Sequence, residues 1–343
     1  MSGSRLFQLL LAILVGGVAG FGIGHWMGPP GVPERASSSE VSTNLYAATR
    51  AALLEPDVLD RALAMRAVGA QLDESNVEEA ARAVDELVIP SHSCEVGQFM
   101  HARASFDPRG AFEQSLSWTG ARKRGVGLHA ASYGWAIGGG GLEAVTSAES
   151  IPNLEARESA MTGAIRGWAR SDDIDGVTTY LARLPEDTGQ VRNRMYLMYI
   201  AGPLLYDHSA DHLMEWAADV PDDAPNNFKA AVYDNTLRQL SNADPKKAID
   251  WYQANEGKPY HEGSLQSLTL GWSRNDPHAA LEWVMALPET DERDFAVLRI
   301  MKLWLARDQL AAMTWVRDAD LKPELAKKIV TLWTPQGRGR RAF

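Results

Sequence analysis

The chain has 343 residues, of which 45% are hydrophobic and 23% are charged. This composition excludes a disordered chain and a collagen-like chain, and the single cysteine, Cys94, excludes an internal disulfide. The formal net charge of −10 argues against a nucleic-acid-binding protein, which would carry a basic surface. We therefore expect a globular protein with no nucleic-acid partner.

The first predicted element is a membrane-spanning helix over residues 6–28, behind a short cytoplasmic N-terminus of residues 1–5. Leu6 to Met27 include no charged residue, and as a helix they would cover about 33 Å, enough for a hydrocarbon core of about 30 Å. Arg5 precedes them, so the positive-inside rule places the rest of the chain outside the cytoplasm. We expect an uncleaved, single-pass signal-anchor in a bacterial-type inner membrane, with a periplasmic body. A cleaved signal peptide is the alternative, although no clean A-x-A site is present.

Small residues recur along this predicted membrane helix at every fourth position. They form one stripe, where a second helix can approach closely. We therefore predict a helix–helix contact in the membrane, either in a homodimer or with a subunit of a membrane complex. The alternative is that membrane helices are rich in glycine in any case. The stripe consists of Gly16, Gly20, Gly24 and Gly28. Residues 29–44, rich in Pro, Ser and Gly, read as a linker.

The body, residues 45–335, is an internal repeat. The segments GWSRNDPHAALEWVMALP and LWLARDQLAAMTWVRDAD align without gaps, so that Trp304 falls 32 residues after Trp272. In both segments an Asp lies four residues after the first Trp, and a second Trp lies eleven residues after it. The same spacing continues backwards in steps of 32–37 residues, and Trp333 follows Trp304 after 29 residues as a last, truncated anchor. We call the first-Trp position the anchor; it is held in chain order by Gly69, Arg103, Trp135, Trp168, Leu205, Leu240, Trp272 and Trp304.

Each repeat predicts two antiparallel helices. Asp, Ser or Gly stands where a helix N-cap is needed, and Pro follows it in three copies, as in Asp276-Pro277. Ala280 and Trp283 share a helix face, so we expect a neighbouring helix to approach at the alanine and the indole to be buried between helix pairs. The glycines at 138–141 occupy the same turn in their copy. One pair cannot bury its apolar face alone, so the pairs must stack.

The body therefore resembles an α-solenoid of tetratricopeptide-like architecture, although the consensus opening W-x2-L-G-x2-Y is not met and no specific named family is indicated. The predicted fold class is all-α: a right-handed-type α-solenoid of about eight helix pairs behind the membrane helix, followed by a basic tail at 336–343. The resemblance implies a long surface for protein partners. An α/α toroid of the glycosidase type is less consistent, because its repeats are longer.

Motif searches predict no catalytic site, no metal site and no bound cofactor. The glycines at 138–141 have neither the following Lys-Ser/Thr nor the preceding strand of a phosphate-binding loop. Cys94 has no second cysteine with which to form a redox pair. The best metal candidate has carboxylates and imidazoles near the expected N-cap Ser209 but no H-E-x-x-H motif. It comprises Asp207, His208, Asp211, His212 and Glu215.

Two features are expected to contact a partner. Trp118 lies outside the repeat spacing and precedes the basic segment TGARKRG, so we expect it to be exposed. The second feature is the basic tail, with Arg338, Arg340 and Arg341. The predicted function is a membrane-anchored, extracytoplasmic scaffold that binds protein partners, as an assembly or accessory subunit of a membrane complex. The alternative is an envelope hydrolase acting on a cell-wall polymer, which a cluster of carboxylates with perturbed pKa values would favour.

Overall fold

A computed structural model of the protein describes residues 44–86, 93–184 and 190–333. Within these ranges all regular structure is helical, which confirms the all-α prediction. None of the described helices is long and apolar enough to cross a membrane. The predicted membrane helix with its glycine stripe and the basic tail lie outside the described residues, as does all of the linker except its last residue, Asn44.

The helices follow one another with short connections. The first nine are α1 (Leu45–Leu54), α2 (Val58–Gly69), α3 (Val77–Glu86), α4 (Ser93–Ala104), α5 (Pro108–Ser117), α6 (Ala121–Trp135), α7 (Gly141–Glu149), α8 (Leu154–Trp168) and α9 (Ile174–Ala182). The remainder are α10 (Gln190–Pro203), α11 (Ala210–Asp219), α12 (Phe228–Ala243), α13 (Pro245–Ala254), α14 (Leu265–Trp272), α15 (Pro277–Met285), α16 (Asp291–Arg307), α17 (Gln309–Asp318) and α18 (Pro323–Trp333).

The even-numbered helices form a layer in chain order. Each of them, from α2 to α16, packs against the next even-numbered helix, and the closest association is between α6 and α8. Most odd-numbered helices pack against the even-numbered helices beside them in the chain, and α1 also packs against α3. Because helices pack mainly against near neighbours in the chain, the described part of the protein is helical-repeat-like.

The turn after the anchor has the same geometry in four copies of the repeat. At Asp107, Asp244, Asp276 and Asp308, the backbone N–H donates to the anchor carbonyl, and the φ angle lies between −143° and −130°. Each carboxylate then accepts a hydrogen bond from the backbone N–H three residues later, which satisfies a free donor at the helix start. The predicted N-caps at these four residues are thereby confirmed.

The position four residues after the cap position is buried in every copy of the repeat, where the cap positions are Asp73, Asp107, Gly140, Asp173, Ser209, Asp244, Asp276 and Asp308. It is occupied only by Ala, Val or Leu, and its exposure does not exceed 4%. A small or aliphatic side chain here lets the odd-numbered helix approach its even-numbered neighbours. The residues are Val77, Ala111, Ala144, Val177, Leu213, Ala248, Ala280 and Ala312. The repeat spacing derived from the sequence therefore coincides with a periodic burial pattern.

Glycines allow the backbones of the even-numbered helices to touch. A Cβ atom added to Gly163 or Gly167 of α8 would lie less than 3.0 Å from a backbone carbonyl oxygen of α6, that of His129 or Tyr133 respectively. Gly271 of α14 approaches α12 in the same way, at the carbonyl of Arg238. Gly167 and Gly271 each precede an anchor tryptophan, so the glycine permits the approach and the indole fills the adjacent space.

The glycine run at 138–141 forms a turn between α6 and α7, as the repeat spacing predicts. Gly139 has a φ of 97°, which favours glycine. Side chains at Gly140 and Gly141 would collide with the indoles of Trp135 and Trp168. Conformation and packing thus account for three of the four glycines.

Basic side chains donate hydrogen bonds to backbone carbonyls at the connections that lead into the even-numbered helices. Lys229, in the first turn of α12, is buried, and its Nζ donates to the carbonyls of Ala217 and Val220 at 2.7 and 2.6 Å. Arg61 of α2 donates to the Glu55 carbonyl at 2.8 Å, and Arg124 of α6 donates to the Trp118 carbonyl at 3.0 Å. These donors satisfy carbonyls at or just beyond helix C-termini, where cations are also favourable.

Candidate functional site

Trp118 is buried. Its exposure is 7%, its indole Nε1 donates to Asp85 Oδ1 at 2.6 Å, and Lys123 Nζ lies 4.5 Å from the centroid of its ring system. The expectation of an exposed Trp118 is therefore wrong, because the short connection between α5 and α6 directs the indole back onto α3. The other predicted contact residues, Arg338, Arg340 and Arg341, lie outside the described residues.

The side chains of the best metal candidate are exposed and do not converge. His208 and His212 stack with ring centroids 5.5 Å apart, and Asp211 pairs with Lys247 at 2.7 Å. Ser209 caps α11, as predicted. Among the described residues, no group of three or more His, Cys, Asp or Glu side chains could hold a metal ion. Cys94 is exposed in the first turn of α4.

A row of side chains that the sequence analysis did not single out runs along the even-numbered helices. It occupies the positions two and six residues before each anchor, which are four residues apart and therefore share a helix face. Two residues before the anchors stand Ala67, His101, Tyr133, Arg166, Pro203, Arg238, Leu270 and Lys302. Six residues before them stand Leu63, Gly97, His129, Thr162, Tyr199, Asp234, Gln266 and Leu298. We call these sixteen residues the even-layer row. All except Tyr133 are half-buried or exposed.

Side chains of this row meet across neighbouring helices. The His101 ring of α4 lies 5.6 Å from the Tyr133 ring of α6, measured between centroids. The Arg166 guanidinium of α8 lies 5.2 Å from the Tyr199 ring centroid of α10. The positive charge of Arg166 also acts on His129 of α6. The central part of the row is thus a contiguous strip of aromatic, imidazole and guanidinium groups over four even-numbered helices.

Burial keeps the histidines of this strip neutral. It lowers the pKa of His129 to about 4, with a further contribution from the positive charge of Arg166. Burial also lowers the pKa of His101 below its usual value. At neutral pH these imidazoles can therefore donate and accept hydrogen bonds without carrying charge, beside the permanently charged Arg166.

The pKa values of two exposed carboxyl groups, Asp73 and Asp318, are lowered. The cause is hydrogen bonding to Ser75 in the first case and to Arg317 in the second. Lowered values stabilise the ionised form, whereas a glycoside-hydrolysing acid needs a raised value. The hydrogen bonds of Asp73 and Asp318 thus favour their ionised forms, which does not suit a general acid.

Trp283 is only half-buried, which corrects the expectation of full burial. Its ring centroid lies 6.1 Å from that of Trp272 and 6.3 Å from that of Tyr252, so it does sit between successive helix pairs. Tyr233 is buried beneath the same group of aromatic side chains, with its ring centroid 4.6 Å from that of Trp251. This aromatic cluster thus joins neighbouring repeats.

In comparisons with known proteins, no family profile, no curated protein and no solved structure matches this chain. The class of the protein thus rests on its architecture, an all-α, helical-repeat-like chain. Its even-layer row presents varied polar and aromatic groups, of which all but Tyr133 are half-buried or exposed.

Proposed function

We propose that the protein is a membrane-anchored, extracytoplasmic helical-repeat scaffold that binds a protein partner along the even-layer row. In this proposal the body is a right-handed-type α-solenoid of about eight helix pairs. The N-terminal apolar segment holds it at a bacterial-type inner membrane, where it serves a membrane complex as an assembly or accessory subunit. The apolar length of residues 6–28 and the positive charge before it support the anchor.

The observation that carries the proposal is the contiguity of the row from α4 to α10. His101 contacts Tyr133, and Arg166 contacts Tyr199, while most of these side chains stay half-buried. Half-buried Tyr and Arg side chains are already partly ordered, so a partner loses little conformational entropy by contacting them. Tyr and Arg are also the residues that most often dominate the binding energy of protein interfaces.

The same region supports a scaffold rather than the alternative hydrolase. Glycoside hydrolysis requires two nearby carboxyl groups, of which one has a raised pKa. The central strip of the row contains imidazole, phenol and guanidinium groups and the hydroxyl of Thr162, whereas the single carboxylate of the row, Asp234, lies on the next even-numbered helix, α12. Varied hydrogen-bonding groups of this kind are typical of a surface that recognises a polypeptide.

Site-specific photocrosslinking in intact cells tests this proposal. A photoreactive phenylalanine analogue would replace Thr162 in the row or, as a matched control, the exposed Thr179 of α9. We expect residue 162, but not residue 179, to give one discrete protein adduct, and Arg166→Ala to reduce its yield. Equal adducts at both positions, or no protein adduct at residue 162, would contradict partner binding along this row.

A further inference from the structure

The charge of the even-layer row is opposite in sign to that of the whole protein. The chain has 34 Lys and Arg against 44 Asp and Glu. In the even-layer row, however, the charged side chains are Arg166, Arg238 and Lys302 against the single carboxylate Asp234. A protein with net charge −10 thus displays a locally basic strip.

A second row, at one repeat position on the odd-numbered helices, is acidic. Six residues after each N-cap, the odd-numbered helices present only acidic residues or threonine, and all of these residues are exposed. They are Glu79, Glu113, Thr146, Thr179, Glu215, Asp250, Glu282 and Thr314. The basic row lies on the even-numbered helices and the acidic row lies on the odd-numbered helices, so the charges of these two rows are segregated between the two sets of helices. Such segregation repels acidic segments from one layer and attracts them to the other.

The local geometry suits a carboxylate. The guanidinium of Arg166 is held against the ring of Tyr199 at 5.2 Å, and a planar guanidinium can bind a carboxylate through two parallel hydrogen bonds. His129 of α6 lies within electrostatic reach of Arg166. A carboxylate placed beside both groups would oppose the positive charge of Arg166 and favour protonation of the imidazole.

We propose that the even-layer row docks an acidic segment of the partner, with partner carboxylates against Arg166 and, further along the same row, Arg238 and Lys302. This inference rests on the proposed function and adds the chemistry of the partner. The docked segment would cross several helices, because each of these cations lies on a different even-numbered helix.

Fluorescence anisotropy of the full-length protein in detergent micelles tests the inference. The probe is a short labelled peptide of alternating Glu and Ala, with peptides carrying Gln or Lys in place of Glu as controls. We expect saturable binding of the Glu peptide only, weakening as the salt concentration rises. Equal binding of the Gln peptide, or preferential binding of the Lys peptide, would overturn the proposal.

Two substitutions locate the binding. Lys302→Gln removes an exposed cation of the row, and Lys246→Gln removes an exposed cation of α13 outside the row, so both change the net charge equally. We expect Lys302→Gln to weaken Glu-peptide binding about 3- to 5-fold, as for a partly exposed ion pair, and Lys246→Gln to leave it unchanged. Equal weakening by both would show non-specific attraction and overturn the proposal.

The experiments separate the two levels of inference. A discrete adduct at residue 162 without Glu-peptide binding would refute an acidic partner and leave the scaffold proposal standing. Glu-peptide binding that is lost in the double variant Arg166→Gln, Lys302→Gln, with unchanged thermal unfolding, would support the acidic partner. Failure of both the adduct and the peptide would refute both proposals.

Discussion

Replacing Gly167 with Ala should separate α6 from α8. The added methyl group would lie less than 3.0 Å from the carbonyl oxygen of Tyr133, and a backbone atom inside a helix cannot move aside as a side-chain end can. The added methyl group overpacks the contact between the two helices, so the helices must shift apart. Overpacking costs about 1–3 kcal/mol, and a clash with a backbone atom belongs to the upper part of that range, about 2–3 kcal/mol, which exceeds the roughly 1 kcal/mol that Ala gains over Gly in a helix. We therefore expect a net loss of about 1–2 kcal/mol.

Gly97→Ala is the matched control. Gly97 lies inside α4, also in the even-numbered layer, but a Cβ there would meet Val126 Cγ1 at 3.6 Å and Ala130 Cβ at 3.9 Å, which are ordinary contacts. The same substitution should stabilise the protein by about 0.5–1 kcal/mol, because it only removes the backbone freedom of glycine. The two variants should thus differ in sign.

Urea unfolding followed by circular dichroism measures both free energies, provided that the transitions remain two-state. The predicted order of stability is Gly97→Ala, wild type, Gly167→Ala. If Gly167→Ala were as stable as the wild type, α6 and α8 would not touch through their backbones. The account of the glycine before the anchor tryptophan would then be wrong.

Three further predictions concern Lys229, Trp283 and His129. Lys229→Met should cost about 2 kcal/mol in urea unfolding, because it leaves buried carbonyls without a donor, whereas the exposed Lys258→Met should change stability by less than about 0.5 kcal/mol. Trp283→Ala should cost about 2 kcal/mol, below the roughly 3–5 kcal/mol expected for the buried Trp168→Ala; equal costs would refute the half-burial of Trp283. In the folded protein the pKa of His129 is lowered to about 4. As the pH falls, the unfolded chain therefore binds a proton at this histidine before the folded protein does. Stability should therefore fall by about 3 kcal/mol as the pH falls from 6.5 to 4, and a wild-type slope in His129→Gln would refute this assignment.

The N-caps could be predicted from the sequence because capping is local. Asp276 needs only the backbone N–H three residues later, and Pro277 fixes the first helical residue. The spacing from one anchor to the next then indicated which alanines would be buried. Ala280 and Ala312 are both fully buried, as that spacing requires. Local chemistry together with a regular repeat length was therefore sufficient for the helix pairs.

Arg103 is the one charged residue at an anchor position, and its hydrogen bonds explain how it can replace an apolar anchor. Arg103 is buried and donates to the cap carboxylate of Asp107 through Nε at 3.0 Å and Nη2 at 2.8 Å. In another copy Trp168 donates its indole N–H to the cap carboxylate of Asp173 at 2.8 Å. A guanidinium and an indole thus satisfy the same carboxylate. A search for apolar anchors cannot detect this equivalence, because it depends on hydrogen bonding across the turn.

The prediction that Trp118 is exposed was wrong for a related reason. A tryptophan outside the repeat spacing was expected to be exposed, but the connection that carries it folds back onto α3. There Asp85 accepts its indole N–H, and Lys123 covers its ring. Asp85 lies 33 residues away from Trp118 in the sequence and belongs to α3, whereas Lys123 follows Trp118 closely, in the first turn of α6. Periodicity predicts only the residues that take part in it, so burial through a unique long-range contact remained hidden.

The even-layer row was accessible to sequence analysis in principle. Once the anchors were aligned, the positions two and six residues before them could have been compared across all copies. Apolar periodicity drew attention to residues that build the core, and these are necessarily similar in every copy. A binding surface on a repeat scaffold has the opposite property, because each copy contacts a different part of the partner. Under the proposed function, variation between His101, Tyr133 and Arg166 at one repeat position would reflect recognition, whereas the small or aliphatic residues at the position of Ala248 and Ala280 reflect packing.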